Sequence, residues 1–152
     1  MSYTSFIMSV EDELQSTVDP VHLLVRAVWS AGDLALIDEL VTDDYVHSDV
    51  LLPDSLEGPA AFREWVETVR EGTPDMTKTV RETYVDGDTA IVVYTASGTH
   101  EGDIFGIAPT GRSIEVDGVV VSRVADGRLV ESTDVWDAFG LFAQLGTFPE
   151  VR

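Results

Sequence analysis

The stretch TKTVRETYVDGDTAIVVYTASGTH, residues 77–100, sets the rhythm of the second half of the chain. β-Branched residues dominate from Thr77 to Val85 and again from Thr89 to Thr99, and the intervening Asp86-Gly87-Asp88 has the composition of a tight hairpin turn. The pattern returns from Ser113 to Val124 and from Arg128 to Asp137, joined at Asp126-Gly127. Four consecutive strands predict a curled antiparallel sheet. Glu101 to Arg112 is glycine-rich and too long for a minimal hairpin, so it reads as a loop that acts as a lid.

Upstream of Pro74 the period is helical. Asp19-Pro20 has the form of a helix start, and Val21, Leu24, Val25, Val28 and Trp29 follow one face of that helix. Glu11 to Gln15 reads as an earlier turn. Gly32 is placed to end the helix and Asp33 to cap a short second one, striped by Leu34, Ile37, Leu40 and Val41. Gly58-Pro59 opens a third, with Phe62, Trp65, Val66 and Val69 inside and Arg63 and Glu67 as an i,i+4 pair outside. Gly72-Thr73-Pro74 stops it, and a last short helix runs from Ala138 to Leu145. The result is one α+β domain over residues 19–148, preceded by an extension or extra helical turn at 1–18 and followed by a short tail at 149–152. A coiled sheet wrapped around helices leaves a conical space between them, which is a candidate pocket.

Composition narrows the chemistry. With 152 residues and 44% hydrophobic content the chain can bury a continuous core unaided. It has no cysteine, which excludes disulfides, thiolate nucleophiles and cysteine-ligated metals. The formal charge is −19, from 28 acidic and nine basic residues, of which only Lys78 is lysine. Nucleic acid and anionic membrane surfaces are therefore poor partners. Such a surface repels itself unless salt screens it, so a salt-in halophilic source is expected, with stability that rises with salt. Met1 to Val10 lacks a basic flank and a signal-length apolar run, and no segment is long enough to span a bilayer; a soluble, cytoplasmic protein is expected.

Several short pieces occur in a recognisable order: Ala31-Gly32-Asp33-Leu34, Tyr45-Val46-His47-Ser48-Asp49, Gly58-Pro59, Gly98-Thr99-His100-Glu101-Gly102, Pro109-Thr110-Gly111-Arg112, Asp126-Gly127-Arg128-Leu129-Val130-Glu131, and Asp137 to Gly146. Together, from about Val21 to Gly146, they resemble the SnoaL-like polyketide cyclase or ester cyclase family of the nuclear transport factor 2-like superfamily. The resemblance implies a cone with an internal cavity, a homodimer or higher homo-oligomer, and a metal-free, cofactor-free intramolecular aldol condensation in which one acidic side chain does the acid/base work. The matching position is Asp137, three residues before Gly140. The chain departs from the family in carrying Thr133 where tryptophan is common, with Trp136 on the opposite strand face. Its His47 also lies one place earlier than the family's histidine-aspartate pair.

A carboxylate in an apolar cavity holds or accepts a proton near neutral pH, which suits Asp137 to removing an acidic C–H proton. An aspartate at a strand-to-helix junction is equally the favoured cap of the helix that follows. Asp134, on the other strand face, is expected at solvent or a subunit neighbour. His100, before the glycine loop, either assists at the cavity mouth or bridges loop backbone groups. Trp29, Tyr45, His47, Trp65, Tyr94, Phe105 and Thr133 are the candidate ligand contacts, and the aromatic ones fit an ordinary core as well. His22 is assigned no function. His22, His47 and His100 have no metal-ligand spacing, so neither metal nor cofactor is expected. There is no phosphate loop and no nucleophile elbow. The expected function is cofactor-free acid/base chemistry on a small, mostly apolar carbonyl compound, of cyclase, isomerase or lyase type. The alternatives are a noncatalytic ligand-binding module of the same fold and a structural dimer whose cone is filled.

Overall fold

The β-branched runs after Pro74 form the strands they predict. In the computed structural model, which describes residues 3–148, the chain order is α1 (Tyr3–Leu23, continuing as a wider π-helical segment Leu24–Ser30), α2 (Ile37–Leu40, entered through a 3-10 turn Leu34–Leu36), β1 (Val41–Asp49), β2 (Leu56–Glu57), α3 (Gly58–Gly72), β3 (Thr77–Asp86), β4 (Thr89–Thr99), β5 (Ser113–Ala125), β6 (Arg128–Trp136) and α4 (Ala138–Gln144). The expected tail at 149–152 lies outside the described residues, as do the first two residues of the extension. No helix is long and apolar enough to cross a membrane among the described residues.

The sheet has six strands in the order β2-β1-β6-β5-β4-β3. Its four long antiparallel strands are the expected ones. The additional β1 lies parallel to β6 and pairs Val46 to Asp49 with Glu131 to Asp134. Asp43 and Asp44 disguise this strand in the sequence, because aspartate is poor in strands and a β-pattern is interrupted there. Both acids are exposed, while Val41, Tyr45 and His47 on the same strand are buried.

A bulge in β6 decides which way the last strand faces. Val124 pairs with Leu129, but Arg123 pairs with Glu131, so Val130 is the extra residue. Because side chains alternate with period 2, one extra residue reverses the parity beyond it. Leu129 is buried before the bulge; after it, Ser132 and Asp134 are buried and Glu131, Thr133 and Val135 are exposed. At the far end of the strand, Asp126 and Gly127 both have positive φ, the backbone that a two-residue hairpin matched to the sheet twist requires.

Helix α1 corrects one expectation: it does not begin at Asp19-Pro20 but runs through it. Pro20 removes one backbone donor from a helix interior, yet Thr17, Pro20 and Val21 are buried against the sheet, and that packing outweighs the lost bond. Asp19 accepts a hydrogen bond from Gln15 instead of capping. Gly32 does terminate the helix, and Arg70 of α3 donates to the last carbonyls, Trp29 O and Ser30 O. Asp33 makes no capping hydrogen bond with its side chain. Arg63 pairs with Asp38 at 2.7 Å, not with Glu67.

The core joins the α1 stripe, Phe62 and Val66 of α3 and the inward residues of the sheet. Tyr45 and His47 belong to it: Tyr45 meets Phe62 edge-on at 5.3 Å between ring centroids, and His47 lies 4.8 Å from the same ring. His47 is 1% exposed, and its Nε2 has no hydrogen-bond partner among the described residues. Burial pushes this imidazole down from 6.5 to about 4. The unfolded chain therefore takes up a proton below pH 6.5 that the native state refuses until about pH 4. Stability present above pH 6.5 is lost as pH falls through that window, by on the order of 3 kcal/mol. His47→Gln is expected to flatten the acid limb of a urea-denaturation series between pH 7 and 4; an unchanged limb would contradict the burial of a neutral histidine.

Candidate active site

Between the concave face of the sheet, α3 and the loop after β4 lies a cavity of about 220 Å³, open on one side. Trp29, Trp65, Met76, Ile104, Phe105 and Ile114 make much of its wall apolar. Three charged side chains from the sheet also line it: Lys78 of β3, Asp134 of β6 and Asp49 at the end of β1.

The chain's single lysine is buried here. Lys78 is 8% exposed and Asp134 3% exposed, and Lys78 Nζ stands 3.3 Å from Asp134 Oδ2. The ammonium also sits over two rings, 3.9 Å from the centroid of Trp29 and 4.4 Å from that of Tyr94. Its strand is clamped to the end of α1: Lys78 N donates to Ser30 Oγ at 2.8 Å, and that hydroxyl is 3.1 Å from Lys78 O. The second Asp134 oxygen accepts from the Tyr94 hydroxyl at 2.6 Å. Burial, then the adjacent Asp134 charge, push the Tyr94 phenol far above its ordinary value, so it stays a donor.

Tyr94 is on β4 and Asp134 on β6, with β5 between them. The bond spans that strand because the residue beneath it is Gly118, in register with both Tyr94 and Trp136. A Cβ at position 118 would lie 2.4 Å from the Tyr94 hydroxyl oxygen and 2.9 Å from Trp136 Cβ. The glycine is there for close approach, not for backbone conformation.

Asp49 is the register partner of Asp134 across the parallel β1–β6 pair. Its carboxylate accepts from Trp136 Nε1, 3.2 Å from each oxygen, and from Leu51 N at 3.0 Å. Burial raises its proton affinity, and the Asp134 charge adds to that; the Leu51 and Trp136 bonds and Lys78 act in the opposite direction. Among the described residues no group of three or more His, Asp or Glu side chains is placed to hold a metal ion.

The residues singled out from sequence divide. Trp29, Trp65, Tyr94 and Phe105 line the cavity. Phe105, 45% exposed and at positive φ, stacks on Trp65 with centroids 5.8 Å apart, which brings the loop over the opening. Tyr45 and His47 do not line the cavity; they are packed in the adjoining core. Thr133 is exposed on the outer face, because the Val130 bulge reversed its parity. Asp137 is exposed and caps α4, its Oδ1 accepting from Gly140 N at 2.8 Å. The β6 carboxylate in the cavity is instead Asp134, which strand parity read from the sequence places at solvent or a subunit neighbour. His100 is fully buried but staples the loop: Nδ1 accepts from Thr110 N at 3.2 Å, and its backbone pairs with Arg112 O and Gly111 N.

Lys78, Asp134, Asp49 and Gly118 were not expected at the site. Two had a usable signal: Lys78 shares strand parity with Val80, and Asp49 shares it with Tyr45 and His47, so each lies on an apolar face.

Comparison with known proteins agrees with this architecture. A family model for the SnoaL-like polyketide cyclase matches residues 20–145. Nogalonic acid methyl ester cyclase of Streptomyces nogalater is 31% identical over 111 residues, 68% of this chain and 82% of that protein. Aklanonic acid methyl ester cyclase AcmA of Streptomyces galilaeus is 30% identical over 138 residues, 84% of this chain and 92% of that protein. A SnoaL-like structure from Jannaschia sp. CCS1 superposes with a TM-score of 0.83 at 22% identity, covering 90% of this chain and 96% of that one. A curved sheet closing on helices around an acid-bearing cavity, together with a family match over most of its length, places this chain in the SnoaL-like polyketide cyclase family.

Proposed function

We propose that the cavity is the active site of a cofactor-free enzyme acting on a mostly apolar carbonyl compound, with Asp134 as the group that removes an acidic C–H proton. The observation that carries this reading is a carboxylate 3% exposed in an apolar cavity, charge-balanced by Lys78 and oriented by Tyr94. A base acts best where water is excluded and its geometry is fixed, because it then needs no reorganisation as charge moves to the substrate. Lys78 lines the same cavity, where an ammonium can offset the negative charge that an enolate carries on oxygen. The two methyl ester cyclases at 30–31% identity support a cyclisation of the aldol type on a polyketide ester.

The cavity is smaller than the roughly 300–1,000 Å³ usual for drug-sized ligands. As it stands it therefore takes a compact carbonyl compound, and a fused-ring one enters only if Ile104 and Phe105 move outward with their loop. One observation favours a noncatalytic ligand-binding module instead: both Asp134 oxygens already have partners, as in a structural ion pair.

Incubation with nogalonic acid methyl ester and aklanonic acid methyl ester, in water and in deuterium oxide, separates these readings. The enzyme reading expects cyclised product, or deuterium at the acidic carbon; ligand binding without either leaves the module. Asp134→Asn is expected to lower turnover or exchange by at least about 100-fold, the usual range for a lost general base. Undiminished activity of that variant would remove Asp134 from the role. Gly118→Ala is expected to displace Tyr94, costing about 1–3 kcal/mol of stability as an overpacked site and lowering activity in the remaining folded protein. Wild-type melting temperature and activity would show that the Tyr94–Asp134 bond has no such dependence on residue 118.

A further inference from the structure

The strands of the sheet bring to the cavity one carboxylate more than its base requires. We infer that Asp49 is a second catalytic group of this site, the general acid that protonates the carbonyl oxygen at which the new carbon–carbon bond forms. The inference rests on the base reading of Asp134 and adds to it a proton donor drawn from the neighbouring strand.

Three observations support it. Asp49 and Asp134 are register partners on adjacent strands and both line the cavity. Neighbouring strands lie about 4.8 Å apart, which suits a substrate that presents its C–H to one carboxyl and its acceptor carbonyl to the other. Second, the charges do not balance. The groups facing Asp49 are Asp134 from β6, Lys78 from β3 and the Tyr94 phenol from β4, with Asp103 of the loop also on the cavity wall. Lys78 is the one cation there and sits against Asp134, and two carboxylates sharing an apolar space with one ammonium favour retention of one proton. Third, Asp49 is held in place from behind, by Trp136 Nε1 and Leu51 N, neither of which can give it a proton while remaining an amide or indole. Burial of Asp49, aided by the Asp134 charge and only partly opposed by the Leu51 and Trp136 bonds and by Lys78, directs that retained proton to Asp49.

The step balances. Asp134 takes the C–H proton and leaves an enolate; the enolate carbon attacks the acceptor carbonyl; the C=O electron pair moves to oxygen, which takes the Asp49 proton. Asp49 is then a carboxylate and Asp134 a carboxylic acid, and transfer of one proton between the two register neighbours restores the starting state with no net oxidation or reduction.

The free protein tests this without any substrate. Carboxyl ¹³C NMR titration, with Asp49 assigned by its loss in Asp49→Asn, is expected to place its midpoint above the ordinary aspartate range and to move it downward in Asp134→Asn. An ordinary midpoint in the wild type overturns the inference. On nogalonic acid methyl ester, Asp49→Asn is expected to lower kcat on the order of 100-fold with KM little changed and to remove the alkaline limb of the pH–rate profile. Asp49→Ser, which keeps a small acceptor for Trp136, should behave alike if Asn misfolds. Full activity of Asp49→Asn beside an inactive Asp134→Asn would overturn the role of Asp49 alone. Full activity of Asp134→Asn would overturn the base reading beneath it.

Discussion

The Lys78–Asp134 pair is the constraint around which the rest of the structure is arranged. Taking either charge out of water costs several kcal/mol, and their attraction repays this only with good geometry and further hydrogen bonds. The protein supplies both. Trp29 and Tyr94 put aromatic faces against the ammonium, the Tyr94 hydroxyl occupies the second carboxylate oxygen, and Ser30 ties the strand carrying Lys78 to the end of α1. A chain with 28 acidic side chains and one lysine has placed that lysine inside. It therefore offsets a particular negative charge and does little for the general repulsion at the surface.

Three backbone devices deliver the pair to the cavity. The Val130 bulge turns Asp134 inward, the bare backbone of Gly118 lets Tyr94 reach across β5, and the parallel β1–β6 pairing sets Asp49 beside Asp134. None of these is a side-chain motif. The site depends on parity, close approach and register, and its acidic groups derive their properties from low exposure combined with a single shared cation.

This explains what was legible in the sequence. The four long strands, the two tight turns, α3 and α4 follow from alternation, glycine placement and caps within ten or so residues, and the conical fold follows from their order. The position of β1 was not legible, because its pairing partner is far along the chain and Asp43-Asp44 masks its alternation. Which carboxylate of β6 lines the cavity was not legible for a related reason: counting by twos along β6 is correct on each side of Val130 but not across it, and a bulge leaves no mark in composition. Asp137 carries an aspartate's commonest structural role, the helix cap, while the buried Asp134 has no local signal beyond sharing a face with Ser132 and Trp136. Pro20 shows the same limit, since a local stop signal was outweighed by packing against the sheet.

The account rests on Lys78 and Asp134 forming one energetic unit inside the cavity, and a double-mutant cycle on stability measures that directly. Lys78→Met and Asp134→Leu should each destabilise by about 3–5 kcal/mol, since each leaves an uncompensated buried charge. The double variant should be clearly more stable than the sum of the two losses, with a coupling of 1 kcal/mol or more in favour of the pair, on the order found for groups in contact. Losses that simply add would mean that the two charges do not depend on one another, and the arrangement described for this cavity would be wrong.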